Sequence, residues 1–433
     1  MKKWMPGASA VLMLMLGCPP MAGAESAGPA DCDGTQWVGS WMAAPSDSFG
    51  VIDPSLAPQL SAGDQTFRLV VTPHLGGSTM RVHLTNRTRP TPIEIGHVTI
   101  GAQADDAAVH PDSLREVTFG GGRGVTIPAW GDLVSDPIEL SFNAFEPLSI
   151  GVYVPGTAVL PTEHFVANAT SFYSPPFAGD QAADPSGAAM SLRTTAIPLV
   201  SGLDVVAPGD VGAIVAVGDS ITDGYVDSNY LGYQQHMSVV DRNVRYTDFL
   251  QRRLDAAGKP FTVLNAGISG NRVSRDGLIP QFGPDAVARI RADAIDKAGV
   301  TDVIVAEGIN DLGIPVGAGY EQVIAAYTTV IERLHTAGLR VHLGTVMPAS
   351  NALADGILTL PTAEPVRQRI NAWIRDQQLA DTVIDFDAAL RDPADPTVLD
   401  PRYASPDNLH PNAAGYQAMA EAINLDIFTP RCA

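Results

Sequence analysis

The stretch VGAIVAVGDSIT, residues 211–222, decides the fold of the second half of this chain. Its first seven residues are mostly apolar and rich in β-branched side chains, which is typical of a buried strand. Gly-Asp-Ser, residues 218–220, interrupts the run and predicts a tight turn. Open α/β folds bind ligands at the carboxyl edge of the sheet, so we expect the hydroxyl of Ser220 there. Taken alone, the tripeptide is also typical of an ordinary turn.

Three further polar blocks follow in the same half of the chain. They are NAGISGN (265–271) after the apolar run 261–264, EGIND (307–311) after the apolar run 303–305, and DNLHP (407–411) near the C-terminus. Each block follows a strand-like segment or precedes a helix-like one. All four blocks can therefore meet at one edge of a sheet.

Ser220 can attack a carbonyl only when a base removes its proton, so it needs a histidine partner. Among nine histidines, His410 differs because Asp407 precedes it by three residues in a loop flanked by proline. This spacing lets the carboxylate reach the imidazole Nδ1–H and leaves Nε2 for the serine. The same Asp-x-x-His-Pro pattern is also typical of the entry into a helix.

Together the four blocks resemble the SGNH (GDSL-type) hydrolase family over roughly residues 211–425, with every block in the expected order. The resemblance implies a serine esterase in which Ser220, Asp407 and His410 are catalytic. It also implies an oxyanion hole made by the backbone N–H of Ser220, the backbone N–H of Gly270 and the side-chain amide of Asn310. The other glycine of the second block, residue 267, is the alternative to Gly270 by spacing alone.

Two further acidic residues lie near the predicted site. Asp219 is expected to brace the serine turn by accepting backbone hydrogen bonds, and Asp311 to cap or orient a loop. No His/Cys/Asp/Glu cluster in the sequence has metal-ligand spacing, so we expect a reaction without metal or cofactor.

Strand-like and helix-like segments alternate after residue 211. The strand-like runs are 211–217, 261–265, 301–306, 340–346 and 382–386, and the helix-like segments are 245–257, 284–298, 319–337, 364–379 and 412–424. Within 284–298 the apolar residues share one face, and we expect Arg289 and Asp293 to lie away from it. The alternation predicts an α/β domain with a flavodoxin-like, doubly wound sheet of five parallel strands, which the resemblance also implies.

Residues 33–205 lack helical periodicity and show short alternating runs, such as 67–71, 80–84, 93–100 and 148–154. This pattern predicts an antiparallel β-sandwich or jelly-roll domain at 33–205, preceding a catalytic domain at 211–433. Trp37 and Trp41 are expected to pack in the core of the sandwich, with a carbohydrate-binding platform as the alternative.

The N-terminal residues 1–24 are typical of a secretory signal peptide. Lys2 and Lys3 precede an apolar stretch at 8–16, and Ala-Gly-Ala at 22–24 forms a cleavage site. The stretch is too short to span a membrane, and no later segment of the sequence is apolar for long enough. We expect a secreted or periplasmic protein, with lipoprotein anchoring at Cys18 as the alternative.

The net charge of −20 argues against nucleic acid or an anionic membrane surface as a partner. Signal cleavage leaves two cysteines, Cys32 and Cys432. In an oxidising compartment a disulfide between them is the simplest prediction, and two free thiols are the alternative.

These observations predict a secreted serine esterase that hydrolyses carboxylic esters through an acyl-enzyme. The polar segment 222–245 is expected to form a pocket wall and favours a short or sugar-borne acyl group. The expected partner is therefore a small-molecule or polysaccharide ester. Acyl transfer to a carbohydrate hydroxyl, and a non-catalytic carbohydrate-binding protein on a hydrolase fold, are the alternatives.

Overall fold

The chain forms an N-terminal β-rich region and a C-terminal α/β region. The computed structural model describes residues 32–48, 62–157, 159–226, 239–313, 317–352 and 363–432. The predicted signal peptide with Cys18, and residues 227–238 of the predicted pocket wall, lie outside the described residues. Within the described ranges, no helix is both long enough and apolar enough to cross a membrane.

Two antiparallel sheets make up most of the N-terminal region. One has the strand order β1-β16-β4-β10 with β9 beside β4, and the other has the order β14-β13-β3-β11-β6-β7. Two short sheets, β15-β12-β2 and β5-β8, complete the region. The strands are β1 (Thr35–Met42), β2 (Ser46–Asp47), β3 (Gln65–Val71), β4 (Gly77–Thr85), β5 (Ile93–Ile95), β6 (His97–Ala102), β7 (Arg115–Val117), β8 (Val125–Ile127), β9 (Asp132–Val134), β10 (Ile138–Phe142), β11 (Leu148–Val154), β12 (Thr162–His164), β13 (Ser171–Tyr173), β14 (Leu192–Thr194), β15 (Ile197–Pro198) and β16 (Val200–Pro208).

The two larger sheets enclose one apolar core. In β4, Met80, Val82 and Leu84 are buried while the residues between them are partly exposed, because successive side chains of a strand point to opposite faces. Strand β11 of the other sheet contributes Leu148 and Ile150 to the same core. The prediction of an antiparallel sandwich before residue 205 is confirmed.

The two tryptophans near the start of the sandwich differ in their surroundings. Trp41 is buried in the sandwich core, as predicted. Trp37 is half-buried, and the guanidinium of Arg81 lies over its ring at 4.5 Å from the centroid. This cation–π contact occupies a face of the ring that a sugar-binding platform would need.

The C-terminal region is a single parallel sheet with the order β18-β17-β19-β20-β21, which confirms the predicted flavodoxin-like fold. Every residue of the interior strand β17 is buried because helices cover both faces of the sheet. The strands are β17 (Gly212–Gly218), β18 (Phe261–Gly267), β19 (Val300–Ala306), β20 (Arg340–Gly344) and β21 (Thr382–Ile384). The helices are α1 (Ser220–Asp223), α2 (Tyr246–Ala256), α3 (Ala286–Ile290), α4 (Tyr320–Thr336), α5 (Ala363–Asp376), α6 (Phe386–Leu390) and α7 (Ala413–Ala422).

The last strand is shorter than the predicted 382–386. Asp385 ends it, because its side chain accepts a hydrogen bond of 3.0 Å from the backbone N–H of Ala388 and so caps α6. The segment 291–295 also differs from an ordinary helix, since it continues α3 as a π-helical turn.

Strand β1 connects the two regions. It pairs with β16 in the sandwich, and its Gly39 packs against β18, where an added Cβ would lie 2.5 Å from the side chain of Leu264. The N–H of Gly39 also donates to the carbonyl of Ala298 at 3.0 Å.

Cys32, just before β1, forms a disulfide with Cys432, 400 residues along the chain, at a Cα–Cα distance of 5.8 Å. The predicted pairing of these cysteines is therefore present in the structure.

Candidate active site

Ser220 begins helix α1 directly after the interior strand β17. Asp219 caps this helix, since its Oδ1 accepts a 2.9 Å hydrogen bond from the N–H of Ile221, as the sequence predicts. The strand must end in a glycine, because a Cβ on Gly218 would lie 2.4 Å from the carbonyl oxygen of Ala306. Gly224, with φ of 95°, ends the helix after one turn. These features hold Ser220, 6% exposed, at the carboxyl edge of the sheet.

His410 and Asp407 lie in the loop before α7 and form a hydrogen-bond chain with Ser220. The Nδ1 of His410 lies 2.6 Å from Oδ2 of Asp407, and its Nε2 lies 2.8 Å from the Oγ of Ser220. A carboxylate can only accept, so Nδ1 carries the proton, and Nε2 of the neutral imidazole is free to accept from the serine hydroxyl. The structure thus brings together the three residues predicted to be catalytic.

The His410–Asp407 arrangement is fixed by contacts on both residues. The other carboxylate oxygen of Asp407 accepts the backbone N–H groups of Leu409 and His410, each at 3.0 Å. The ring of Tyr225 packs on the imidazole at a centroid distance of 4.8 Å. Tyr416 holds Tyr225 in turn by donating its hydroxyl to the Tyr225 carbonyl at 2.6 Å. The imidazole therefore has little freedom to rotate away from Ser220.

The loops after β18 and β19 carry the predicted oxyanion donors Gly270 and Asn310. Gly270 has a φ of 78°, a conformation that favours glycine. The side-chain amide of Asn310 donates to the carbonyl of Asn271 at 2.9 Å, and Arg272 donates back to the carbonyl of Asn310 at 3.0 Å. The two loops are thus locked together, and the Asn310 amide has a second N–H that this bond does not use.

Gly267, the alternative to Gly270, has a different role. It is the last residue of β18, and its N–H donates to the side chain of Asn265 at 2.9 Å. A Cβ at this position would meet the backbone nitrogen of Asp223 at 2.2 Å. Gly267 therefore allows β18 and α1 to pack closely and does not offer its N–H to a substrate.

Asp311 orients the loop that follows Gly270, as the sequence predicts. Its carboxylate accepts the N–H groups of Val273 and Ser274 at 2.8 and 3.0 Å, and the hydroxyl of Ser274 at 2.5 Å. The side chain is therefore fully engaged in holding the loop.

Arg289 holds parts of the candidate site together, although the helical periodicity of 284–298 places it away from the buried face. The prediction that Arg289 and Asp293 lie away from the buried face is wrong, since they are 4% and 1% exposed. The guanidinium donates to the carbonyls of Gly218 and Ala266 at 2.9 and 2.7 Å and to Oδ1 of Asn271 at 2.9 Å. Arg289 thereby ties the ends of two strands to the loop of Gly270.

Glu307 lies against this arginine and is also absent from the predicted site. Its Oε2 is 3.5 Å from Nη2 of Arg289, and neither carboxyl oxygen has a hydrogen-bond partner among the described residues. Burial, together with the nearby Asp219 carboxylate, raises the pKa of Glu307 well above its usual value and favours its neutral form. It borders a small, mainly apolar cavity lined by Asp219, Ile221, Ala306, Glu307, Ile309, Thr345, Val346, Met347, Phe386 and Met419.

No group of three or more His, Cys, Asp or Glu side chains within the described ranges could hold a metal ion. Other histidines also pair with an aspartate, as His410 does, but among the described residues the contacts of His335 and His97 include no serine. His335 pairs with Asp381 at 2.9 Å on the surface, and His97 pairs with Asp180 at 2.7 Å in the sandwich.

Comparison with known proteins agrees with this geometry. Residues 216–418 match the GDSL-like Lipase/Acylhydrolase family. This segment contains all the residues predicted to be catalytic or to form the oxyanion hole. The protein thus carries a GDSL-like lipase/acylhydrolase domain, and its N-terminal β-rich region is separate from that match. A search of curated proteins found no match.

Several solved structures are similar to about half of the chain. An inhibitor-bound aryl esterase from M. smegmatis is 15% identical, with 49% of this chain and 96% of that chain covered and a TM-score of 0.40. A lipase/acylhydrolase from Enterococcus faecalis is 20% identical, covering 49% and 93% with a TM-score of 0.36. A carbohydrate acetylesterase from Sinorhizobium meliloti is 13% identical, covering 49% and 95% with a TM-score of 0.38.

Proposed function

We propose that this protein is an exported serine esterase that hydrolyses carboxylic esters through an acyl-enzyme. Ser220 is the nucleophile, His410 is the general base and then the general acid, and Asp407 orients the imidazole. The observation that carries the proposal is the buried hydrogen-bond chain from Asp407 through His410 to Ser220, at 2.6 and 2.8 Å. The match of this segment to a lipase/acylhydrolase family supports it.

In the first half-reaction the Oγ of Ser220 attacks the ester carbonyl carbon, and its proton passes to Nε2 of His410. The imidazolium that forms is stabilised by Asp407, which already accepts the Nδ1–H. The same proton then passes to the departing alkoxide as the carbon–oxygen bond of the ester breaks. The products are an alcohol and an acylated Ser220.

In the second half-reaction water attacks the acyl-enzyme, again with His410 as base, and the acid and the free serine are released. Both tetrahedral intermediates carry negative charge on the former carbonyl oxygen. We assign the N–H groups of Ser220 and Gly270 and the amide of Asn310 as the donors that stabilise this charge. The hydrogen bonds that lock the Gly270 and Asn310 loops together support preorganised donors.

We further propose a division into a signal peptide at 1–24, an accessory sandwich domain at 33–205 and a catalytic domain at 211–433. The Cys32–Cys432 disulfide supports export, because disulfides persist in oxidising compartments.

The substrate we propose is an ester with a short or sugar-borne acyl group. The polar segment after Thr222 supports this choice, and Asp241 near its end is fastened to the sandwich through the N–H and hydroxyl of Thr170 at 2.6 and 2.7 Å.

The test is a hydrolysis screen of the purified protein with p-nitrophenyl esters of increasing acyl length beside acetylated polysaccharides. We expect activity to be highest on the shortest acyl groups or on the polysaccharides. Ser220→Ala should lower kcat by several orders of magnitude, as in other serine hydrolases that lose the nucleophile. Asp407→Asn should lower kcat by up to about 10⁴-fold, the loss measured for the equivalent change in a serine protease.

His335→Ala is the matched control, since it removes a surface His–Asp pair and should leave kcat unchanged. A Ser220→Ala variant that keeps about a tenth of the wild-type turnover would exclude Ser220 as the nucleophile. Failure of a phosphonate inhibitor to label Ser220, together with no hydrolysis of any ester, would refute the esterase itself. Transfer of the acyl group to an added alcohol in place of water would instead indicate an acyltransferase.

A further inference from the structure

The segment 162–168 of the sandwich reaches the serine turn. His164, at the end of β12, is 5% exposed, and its Nε2 lies 3.0 Å from Oδ1 of Asp223, the last residue of α1. Four residues further on, the side-chain amide of Asn168 donates to the carbonyl of Gly224 at 2.8 Å. Both sandwich residues lie outside the segment that matches the lipase/acylhydrolase family, residues 216–418.

The surroundings of His164 require a charged imidazole. Its Nδ1 lies 3.0 Å from the carbonyl oxygen of Ala44, and its Nε2 lies 3.0 Å from both the carbonyl oxygen of Val166 and Oδ1 of Asp223. All three are acceptors, so both ring nitrogens must donate, and only the imidazolium can do so. Burial alone would lower the pKa of His164, but the Asp223 carboxylate and the two carbonyls raise it above its usual value.

Asp223 passes this constraint to the loop of Gly270. Its second oxygen, Oδ2, accepts the backbone N–H of Ser269 at 3.0 Å and the Ser269 hydroxyl at 2.6 Å. On the other side of Gly270, Asn271 is held by Arg289 at 2.9 Å. Gly270 therefore lies between two anchored residues, and the Ser269 anchor depends on the position of the Asp223 carboxylate.

We infer that His164 of the sandwich is a positioning residue for the oxyanion hole: its Nε2–H orients the carboxylate of Asp223, and Asp223 fixes the loop that presents the N–H of Gly270. This inference rests on the proposed esterase function. It gives the N-terminal domain a part in catalysis, since the domain supplies the N–H donor that orients a buried carboxylate beside the site.

Two substitutions of His164 separate its contacts. In His164→Asn the amide nitrogen replaces Nδ1, so the bond to Ala44 survives and the donation to Asp223 is lost. In His164→Gln the amide nitrogen replaces Nε2, so an N–H toward Asp223 is kept without the charge. His97→Asn is the matched control, because His97 is equally buried and has acceptors on both ring nitrogens, Asp180 and Glu116, within the sandwich.

We expect His164→Asn to lower kcat on p-nitrophenyl acetate by roughly 10- to 100-fold with little change in KM, because displaced oxyanion donors act in the transition state. His164→Gln should recover most of this loss, and His97→Asn should keep the wild-type kcat. Amide hydrogen exchange at Ser269 to Asn271, measured by mass spectrometry, should be faster in His164→Asn alone. Thermal unfolding checks that all three variants are folded.

Wild-type kcat together with wild-type exchange in folded His164→Asn would overturn the inference. Equal losses of kcat in His164→Asn and His97→Asn would also overturn it, since they would reflect general destabilisation. If the wild-type protein hydrolyses no ester, the proposed function fails and exchange alone decides. Faster exchange confined to the Gly270 loop then supports the anchoring role, and unchanged exchange refutes it.

Discussion

Replacement of Glu163 by glutamine should stabilise the protein at neutral pH and not at acidic pH. Glu163 lies in β12, is 3% exposed, and its Oε2 has no hydrogen-bond partner among the described residues. Burial raises the pKa of Glu163 from 4.5 to about 8, and the nearby His164 and Arg89 offset this only in part. The folded protein therefore keeps a proton on Glu163 that the unfolded chain has released at neutral pH.

The size of the effect follows from the difference between the two pKa values. The unfolded chain releases the proton above pH 4.5, and the folded chain holds it up to about pH 8. Each pH unit between these values costs the fold about 1.4 kcal/mol, so at pH 7 the cost is about 3 kcal/mol. Glutamine is neutral in both states and removes the cost, whereas at pH 4.5 the two side chains should differ little.

The assay is urea unfolding followed by tryptophan fluorescence at both pH values. Trp37, Trp41 and Trp130 all lie in the sandwich and report on its unfolding. Glu94→Gln, at an exposed position of β5, is the matched control and should change the free energy of unfolding by less than about 0.5 kcal/mol. An equal gain at both pH values would show that the fold does not raise the pKa of Glu163. A loss of stability at pH 7 would show that Glu163 is ionised and well stabilised in the fold.

Two further predictions concern the oxyanion loop and the disulfide. Gly270→Ala should lower kcat by roughly 10²–10³-fold, because its Cβ would lie 2.3 Å from the ring of Phe282 and displace the loop. Gly258→Ala is the control, because Gly258 also has a positive φ and no atom lies near the new Cβ, so this variant should keep the wild-type kcat. A wild-type kcat in Gly270→Ala would show that Gly270 is not part of the oxyanion hole. Cys32→Ser, which breaks the bond to Cys432, should lower the free energy of unfolding by about 2–5 kcal/mol in urea titrations. An unchanged unfolding midpoint would mean that the bridge does not constrain the unfolded chain.

The sequence predicts the α/β fold well because a parallel strand covered on both faces leaves a continuous apolar run, as β17 does. It predicts the Asp407–His410 pair because Asp407 precedes His410 by only three residues, so one loop sets their geometry. The other predicted site residues come from blocks that lie far apart in the chain. The family resemblance implies that these blocks meet at one edge of the sheet.

Other parts of the site have no local signal in the sequence. Periodicity treats a charged residue as exposed, so it misplaces Arg289, whose burial depends on acceptors from β17, β18 and the Gly270 loop. The contact between His164 and Asp223 joins the sandwich to the α/β domain, and neither residue has a distinctive neighbour in the chain. Such contacts depend on how the two regions pack, which local patterns do not encode.

The position of β1 has a consequence for the order of folding during synthesis. This strand, with the apolar sequence WVGSWM at residues 37–42, is made first among the described strands, yet its partner β16 begins at Val200 and the surface beneath Gly39 belongs to β18. Long-range pairings of this kind form slowly. Until β16 and β18 have been made, β1 has an unpaired edge that other nascent chains can bind. The first strand is thus among the last to be covered, and any delay in making the second half of the chain prolongs its exposure to aggregation.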